Sequence, residues 1–571
     1  MARGMNVIVS ILCSLTAFQT VSAQQAGRID SSLLPLPQQH YTTEYNFDKP
    51  VHPAEWNRVT SGLHVAFGST DESYFRTEVP ELAAEPREWK TTAWKGERVN
   101  CQLVLWSADT VLQVRVIAGD LRSACGKIAS SNCQVSKVCY VLSNYPYNAD
   151  SADCGSGPTS SAYLMPDRFE NFDRFDLPGK TARPVWLSFN IPGSASPGRY
   201  ESLITVQSEK QTITLHLGIE VAALRVKPPE DWDFRLDLWQ NPWVIADYFH
   251  VRPWSPEHLA LLKKHLSLYA GAGGTYITTY GVHSPWGDNE YYLEGGMIDW
   301  IRRKDGTWKF DYTIFDKYVK LAMSVGIKKA ITIYTPLPWG ERFRFKDEAT
   351  GNYVYEQWLP GTPQFKNNWF ALLSSLAKHL DEKKWFDITY LGVNENAMDQ
   401  TLSAIRVIRQ HPRRWKITYA GDWHPELDSL IDDYSSVLPR EPTVREIDRR
   451  LKDQKTSTFY ICCTPARPNT FLFSPPVEAR WLGWYAFAHH YSGFLRWAYD
   501  SWPEDPRRDG RYIYWPAGDC FLVYPGGNSS IRFEKLREGI VDFEKLKTIR
   551  GISGHSSDPE TRALYSKVER L

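Results

Sequence analysis

Beyond residue 23 the chain has no run approaching the roughly 20 apolar residues that a bilayer span requires, so the mature protein is expected to carry no membrane span. Neither charge is in excess. Sixty-six basic residues balance 66 acidic ones with no long like-charge run, which removes the electrostatic footprint of a nucleic-acid or anionic-membrane partner. No Cys-x-x-Cys pair and no His-rich spacing is found, so no zinc site is marked. Cysteine is sparse, nine in 571 residues. Of the eight beyond Cys13, five, Cys101, Cys125, Cys133, Cys139 and Cys154, fall in the first third. Cys125 and Cys133 could bridge a short turn-like segment, and Cys462 and Cys463 could form a vicinal bridge or remain buried thiols; spacing alone does not fix pairing.

What is present begins with a leader. Met1 to Ala23 has Arg3 near the front, an apolar stretch from Val7 to Phe18 and the small-residue site Val21-Ser22-Ala23. This pattern predicts an exported protein, periplasmic, cell-surface or extracellular, cleaved near Ala23. Leu12 before Cys13 is bulkier than a lipoprotein signal wants. Aromatics make up 14% of the residues, with 23 tryptophans, a load that suits thick cores and the apolar faces of sugar rings.

The length predicts two or three domains. From about residue 25 to 227, short alternating strands broken by turns, such as Asn100 to Ala108, Leu112 to Gly119 and Ser136 to Ser143, predict an antiparallel β-sandwich. Pro228-Pro229 marks a linker. A strand, loop, helix rhythm then recurs eight times over residues 231–503. The candidate strands are Phe234 to Asn241, Thr275 to Val282, Ala330 to Pro336, Ile388 to Glu395, Lys416 to Trp423, Ser435 to Pro439, Thr458 to Pro465 and Gly493 to Trp502. Helices fit between them, for example Pro256 to Ala270, Trp369 to Lys383 and Val477 to Tyr491. Eight such alternations predict a (β/α)8 TIM-type barrel.

In that fold the active site lies where the strands end. Glu395 closes the fourth strand directly after Asn394, and a carboxylic acid held there at a raised pKa can protonate a glycosidic oxygen as its bond breaks. Trp239, Gln240, Asn241, His283, Trp286, Trp339, Asp422, His424, Arg496, Tyr499 and Asp500 occupy other strand ends and form a candidate sugar-binding ring. Arg496 reads equally as a substrate contact or half of a buried ion pair, and Asp519 as a hydrogen-bonding group at a domain junction.

Most of the mature chain resembles glycoside hydrolase family 123. The likeness lies in DLWQNPW (Asp237 to Trp243), DGTWKFDYTIFDKYV (Asp305 to Val319), the Glu395 strand, PNTFLFSPPVEARWLGWYA (Pro468 to Ala486), GFLRWAYDSWPEDP (Gly493 to Pro506) and AGDCFLVYPGGNSSIRFEKLREGIVDFE (Ala517 to Glu544). The resemblance implies an exo-acting β-N-acetylgalactosaminidase that uses the 2-acetamido oxygen of its substrate as nucleophile, and a small β-rich C-terminal domain over residues 504–571 that ends in a helix. Glu395 is then the acid and base. Asn394 stands where the family has an aspartate that orients the acetamide N–H. Losing that charge is expected to cost roughly 10² to 10³ in rate.

Three readings follow. One is substrate-assisted cleavage of a terminal β-linked N-acetylhexosamine. The second is a covalent retaining mechanism with Asp422 or Asp500 as nucleophile, which needs a carboxylate about 5 to 5.5 Å from Glu395. The third is a sugar-binding protein without turnover. The expected partner is a carbohydrate bearing a terminal amino sugar, and no metal or organic cofactor is implied.

Overall fold

The computed structural model describes residue 44 and residues 53–82, 86–144, 163–287, 295–438, 440–512 and 515–553. The leader, Cys13 and Cys154 lie outside the described residues.

The first region is a two-sheet sandwich. A five-stranded antiparallel sheet contains Arg98–Ser107, Thr181–Asn190 and Cys133–Ser143 as neighbours, and a seven-stranded sheet is built around Gly198–Gln207 and Thr212–Arg225. Alternation drives the packing: in Gly198–Gln207, Tyr200, Ser202, Ile204 and Val206 point inward while the residues between them are more open. The inward set meets Leu103, Leu105, Val185 and Leu187 of the opposite sheet in one core. One pairing departs from the expected antiparallel pattern, because Glu88–Lys95 runs parallel to Thr212–Arg225.

The second region is a ring of eight parallel strands. In chain order they are Arg235–Leu238, Tyr276–Tyr280, Ala330–Tyr334, Thr389–Val393, Lys416–Gly421, Asp433–Val437, Thr456–Tyr460 and Gly493–Arg496. Ladders join the second through the eighth in sequence and the eighth to the first. Among the described residues no ladder joins the first and second, which meet through the Leu236–Gly274 bridge, the Thr275 N–H to Leu236 carbonyl bond of 3.0 Å and the side chain of Gln240. All eight expected strands overlap observed ones. The second, third, fourth and sixth are buried at every position, as strands covered on both faces must be.

The covering helices start on local signals. Ser255 accepts from the His258 N–H ahead of Pro256–Gly271, Thr362 accepts from the Phe365 N–H ahead of Pro363–Lys383, and Thr443 with Glu446 forms a capping box for Val444–Lys452. Proline at the first turn of the first two sets their entry angle. Among the described residues no helix is long and apolar enough to cross a membrane.

Two features were not expected. A four-stranded sheet, in the order Trp308–Asp311, Asp299–Arg302, Arg342–Asp347, Tyr353–Gln357, is built from the segments after the second and third barrel strands. Secondly, the described residues after 504 contain no strand, so the β-rich terminal unit is corrected to irregular chain followed by the helix Ile531–Ser553. The apolar run Cys520 to Tyr524 falls within the unit that the resemblance implies to be β-rich. It is instead buried at every position and pairs only through the isolated bridges Asp500–Phe521 and Tyr524–Asn528. The same hydrophobic core holds this run, the barrel and Trp94, Val141 and Val226 of the sandwich region. The terminal helix also ties to the sandwich through Glu534–Arg98 (3.1 Å), Lys545–Glu97 (2.8 Å) and Arg532–Asp167 (3.1 Å).

Of the described cysteines, Cys101, Cys125, Cys133, Cys139, Cys462 and Cys520 form no disulfide. Neither a Cys125–Cys133 bridge nor a vicinal Cys462–Cys463 bridge is formed; Cys463 is disulfide-bonded, and Cys462 is a half-buried thiol.

Candidate active site

The fourth strand ends at Val393 and delivers Asn394 and Glu395 to the barrel mouth. Glu395 is open to solvent on its outer side while protein crowds its carboxyl elsewhere. That desolvation raises its pKa above the usual carboxylate value. The hydroxyl of Tyr460, at the end of the seventh strand, donates to Glu395 Oε1 and opposes the rise, the charge of Asp422 adds to it, and Arg440 opposes it. Tyr460 is itself pushed well above the ordinary tyrosine value by burial, so it remains a proton donor.

Asp422 follows the fifth strand and is held by Arg440 at 2.6 Å, while its carbonyl accepts from the Tyr434 hydroxyl at 2.6 Å. The His424 N–H donates to the same hydroxyl at 2.9 Å, which fixes the loop.

Asn394 is buried. Its Oδ1 accepts from Thr335 Oγ1 at 3.5 Å and from Asn396 Nδ2 at 3.4 Å, and its own Nδ2 has no partner among the described residues. The orientation follows from the neighbours. Asn396 Nδ2 also donates to the carbonyls of Asn394 (3.2 Å) and Leu337 (3.4 Å), so it is a donor, and the Asn394 atom facing it must be oxygen. A buried amide donor beside Glu395 therefore waits for an acceptor.

The remaining predicted residues divide. His283 and Trp339 are at the mouth: His283 lies 6.3 Å from the Tyr355 ring, with its pKa lowered to about 4 by burial and then by Arg344, and Trp339 is 40% exposed. Trp239 and Trp286 stack at 5.1 Å and both lie against Tyr334, forming a buried aromatic floor. The others are hydrogen-bonded within the protein. Gln240 bonds to Leu238 O, Thr278 N and Tyr318, locking the first strand to the second. Asn241 caps the helix Pro242–Tyr248, and its N–H donates to Asp500 at 3.0 Å, which places Asp500 beneath the first loop. Tyr499 donates to the His265 carbonyl at 3.0 Å on the barrel's outer layer. Arg496 does not pair with Glu395 or Asp500. It forms an ion pair of 2.6 Å with Asp519, both side chains fully buried, and burial lifts Asp519 to about 6.

Tyr460, Arg440, Thr335 and Asn396 complete the site and were missed. Tyr460 and Thr335 had a signal, as strand-end hydroxyls in a barrel; Arg440 lies in a loop whose path no periodicity sets.

The catalytic-domain profile of glycoside hydrolase 123 matches residues 239–549, and the N-terminal-domain profile of the same family matches residues 67–208. No curated protein matches the chain. Among solved structures it is similar to a family 123 glycoside hydrolase from Clostridium perfringens, described for glycolipid glycan hydrolysis, with 28% identity and a TM-score of 0.81 over 89% of this chain and 91% of that one. A β-glucuronidase from Bacteroides uniformis aligns at 9% identity and a TM-score of 0.29, over 78% of this chain and 50% of that one. With both domain profiles in order, more than half the length in the catalytic one, and Glu395 presented at the mouth of the matched barrel, the chain belongs to glycoside hydrolase family 123.

Proposed function

We propose that this glycoside hydrolase removes a non-reducing terminal β-linked N-acetylgalactosamine, or a related N-acetylhexosamine, from a glycan. Glu395 is the acid and then the base. The observation that carries this reading is its carboxyl at the end of the fourth strand, raised in pKa and oriented by Tyr460. A carboxyl whose proton is held more tightly than usual can give that proton to the departing oxygen. The substrate's acetamide oxygen attacks C1 as the C1–O bond breaks, and Glu395 then takes a proton from the water that opens the oxazolinium intermediate. Drawing the nucleophile from the substrate fits the two carboxylates weighed as enzyme nucleophiles: Asp422 is bound by Arg440, and Asp500 accepts from the Asn241 backbone. The Clostridium perfringens relative makes glycolipid glycans the substrate class to test first. The leader pattern of residues 1–23 supports a reaction outside the cytoplasm.

A second reading has its own observation. With Asn394 Oδ1 taken by Thr335 and Asn396, the residue offers substrate a donor. A donor suits an oxygen at C2, which a 2-hydroxy sugar supplies as well as an acetamide carbonyl does.

Release of chromophore from aryl β-GalNAc, β-GlcNAc, β-galactoside and β-glucoside by wild type and Glu395→Gln separates the two. Cleavage confined to the acetamido sugars and abolished in Glu395→Gln supports the proposal. Preference for 2-hydroxy sugars, or trapping by a 2-fluoro glycoside, sinks it.

A further inference from the structure

The four-stranded sheet beside the barrel mouth has two unlike faces. On the face toward the protein, Arg302 pairs with Asp347 and with Glu356, each at 2.8 Å. On the outer face, alternation turns Arg342, Arg344 and Lys346 outward from one strand and Tyr353, Tyr355 and Gln357 from the edge strand, with Arg344 in register with Tyr355 and Lys346 with Tyr353. Among the described residues none of these three cations has a carboxylate within ion-pair distance. Instead Arg342 lies over the Tyr355 ring at 4.9 Å and Arg344 over the Tyr353 ring at 4.4 Å. Such stacking rigidifies the guanidiniums and leaves their N–H edges free. The two rings are about half exposed, 51% for Tyr353 and 47% for Tyr355. Asp299 and Asp311 continue this face on the side away from the tyrosines, in register with each other.

This face borders the site. Tyr355 meets His283 edge-on. Gln357 donates to Glu341 at 2.9 Å, and Glu341 accepts from Gln400, five positions after Glu395. A scattered surface lysine or tyrosine needs no explanation. Two exposed rings that carry stacked, unpaired guanidiniums, next to a catalytic mouth, are a different arrangement.

We propose that this outer face binds an acidic sugar on the leaving-group side of the scissile bond, its ring against Tyr355 and Tyr353 and its carboxylate or sulfate between Arg342 and Arg344. The inference rests on the reading of the barrel as a hydrolase of terminal hexosamines. The aromatic rings supply the apolar contact that sugar C–H faces use, and planar guanidiniums match a carboxylate or sulfate with two parallel hydrogen bonds.

The test compares kcat/KM of the full chain for three substrates: an aryl β-N-acetylgalactosaminide, a neutral disaccharide with glucose on the leaving side, and that disaccharide with glucuronate or glucose 6-sulfate there. The acidic disaccharides should be favoured about tenfold over the neutral one at low salt, and less so as salt rises. Arg342→Gln/Arg344→Gln should abolish that preference and leave the aryl substrate unchanged. The glucuronate and sulfate arms identify which acid is taken. Equal kcat/KM for acidic and neutral disaccharides, or a double variant whose loss is the same on all three substrates, overturns the inference while leaving the hydrolase reading intact. If the aryl glycoside is not cleaved, that reading fails separately, and calorimetric binding of the acidic disaccharide decides this one: loss in the double variant supports it and unchanged binding overturns it.

Discussion

Tyr460 and Glu395 meet across the barrel mouth, the hydroxyl from the end of the seventh strand donating to the carboxylate at the end of the fourth. This bond favours ionised Glu395, and Asp422 favours the protonated form. Their removal should therefore have opposite effects. The alkaline limb of kcat/KM reports loss of the Glu395 proton in the free enzyme. Tyr460→Phe should move that limb to higher pH, because the carboxylate loses its donor. Asp422→Asn should move it to lower pH, because a neighbouring negative charge is gone. A pH–rate profile on an activated aryl glycoside reads both, and shifts in the same direction would refute the assignment of Glu395 as the acid.

Asn394→Asp tests what the amide contributes. The substitution replaces a buried donor with a second acceptor and adds charge beside Glu395. With 2-acetamido substrates, kcat should rise by up to about 10² to 10³, the size of one preorganised electrostatic contact. The added charge should also raise the Glu395 pKa and move the alkaline limb upward. Steady-state rates and a pH profile on aryl β-GalNAc check both; a fall in kcat shows that the donor, not the missing charge, is what the site uses.

The barrel was legible because each strand is a short apolar run between turn residues, and closing such runs in a ring is the fold that buries both faces. Glu395 was legible because strand ends point to the mouth. Gln240, Asn241, Tyr499 and Arg496 also follow or end strands, yet they point into caps, the inter-strand wall or the outer layer. Composition does not distinguish the two directions, since a cap and a sugar contact use the same polar groups. The terminal segment departs from what the resemblance implies because Cys520 to Tyr524 packs against the barrel strand end at Asp500 and Asp167 of the sandwich, the latter a contact with large sequence separation. The small inserted sheet was overlooked because its strands are four to six residues long and interrupt the strand, loop, helix rhythm.

The Arg496–Asp519 pair predicts a stability effect. Both side chains are fully buried, and Arg496 also donates to Asn469 Oδ1 at 3.1 Å. Arg496→Met strands the carboxylate in the interior and should destabilise the protein by about 3 to 5 kcal/mol. Adding Asp519→Leu should recover much of that loss, because the cost lies in the unpaired charge rather than in the missing attraction. Denaturant unfolding of wild type, single and double variants measures it. A double variant no more stable than Arg496→Met would place the cost in packing instead.

Gly483 and Gly539 mark where the terminal helix Ile531–Ser553 crosses the helix Pro476–Ala488. A Cβ on Gly483 would lie 2.0 Å from the Gly539 carbonyl oxygen, and one on Gly539 would lie 2.2 Å from that of Arg480. Both obstacles are backbone, so neither can turn aside as a side chain would, and relief requires the helices to separate. Their separation would also strain Arg480–Asp542 at 2.7 Å and the Trp484 Nε1 donation to Asp542 at 2.9 Å. Gly483→Ala should therefore destabilise by about 1 to 3 kcal/mol or more, although alanine is the better helix former by about 1 kcal/mol. Lys452→Ala, in the last turn of Val444–Lys452 and exposed, serves as the control and should stay within about 0.5 kcal/mol. Because the terminal helix also holds the sandwich through Glu534, Lys545 and Arg532, limited proteolysis of Gly483→Ala should release the C-terminal segment earlier than in wild type. Thermal melting and proteolysis that match wild type would show that the two backbones are not in contact.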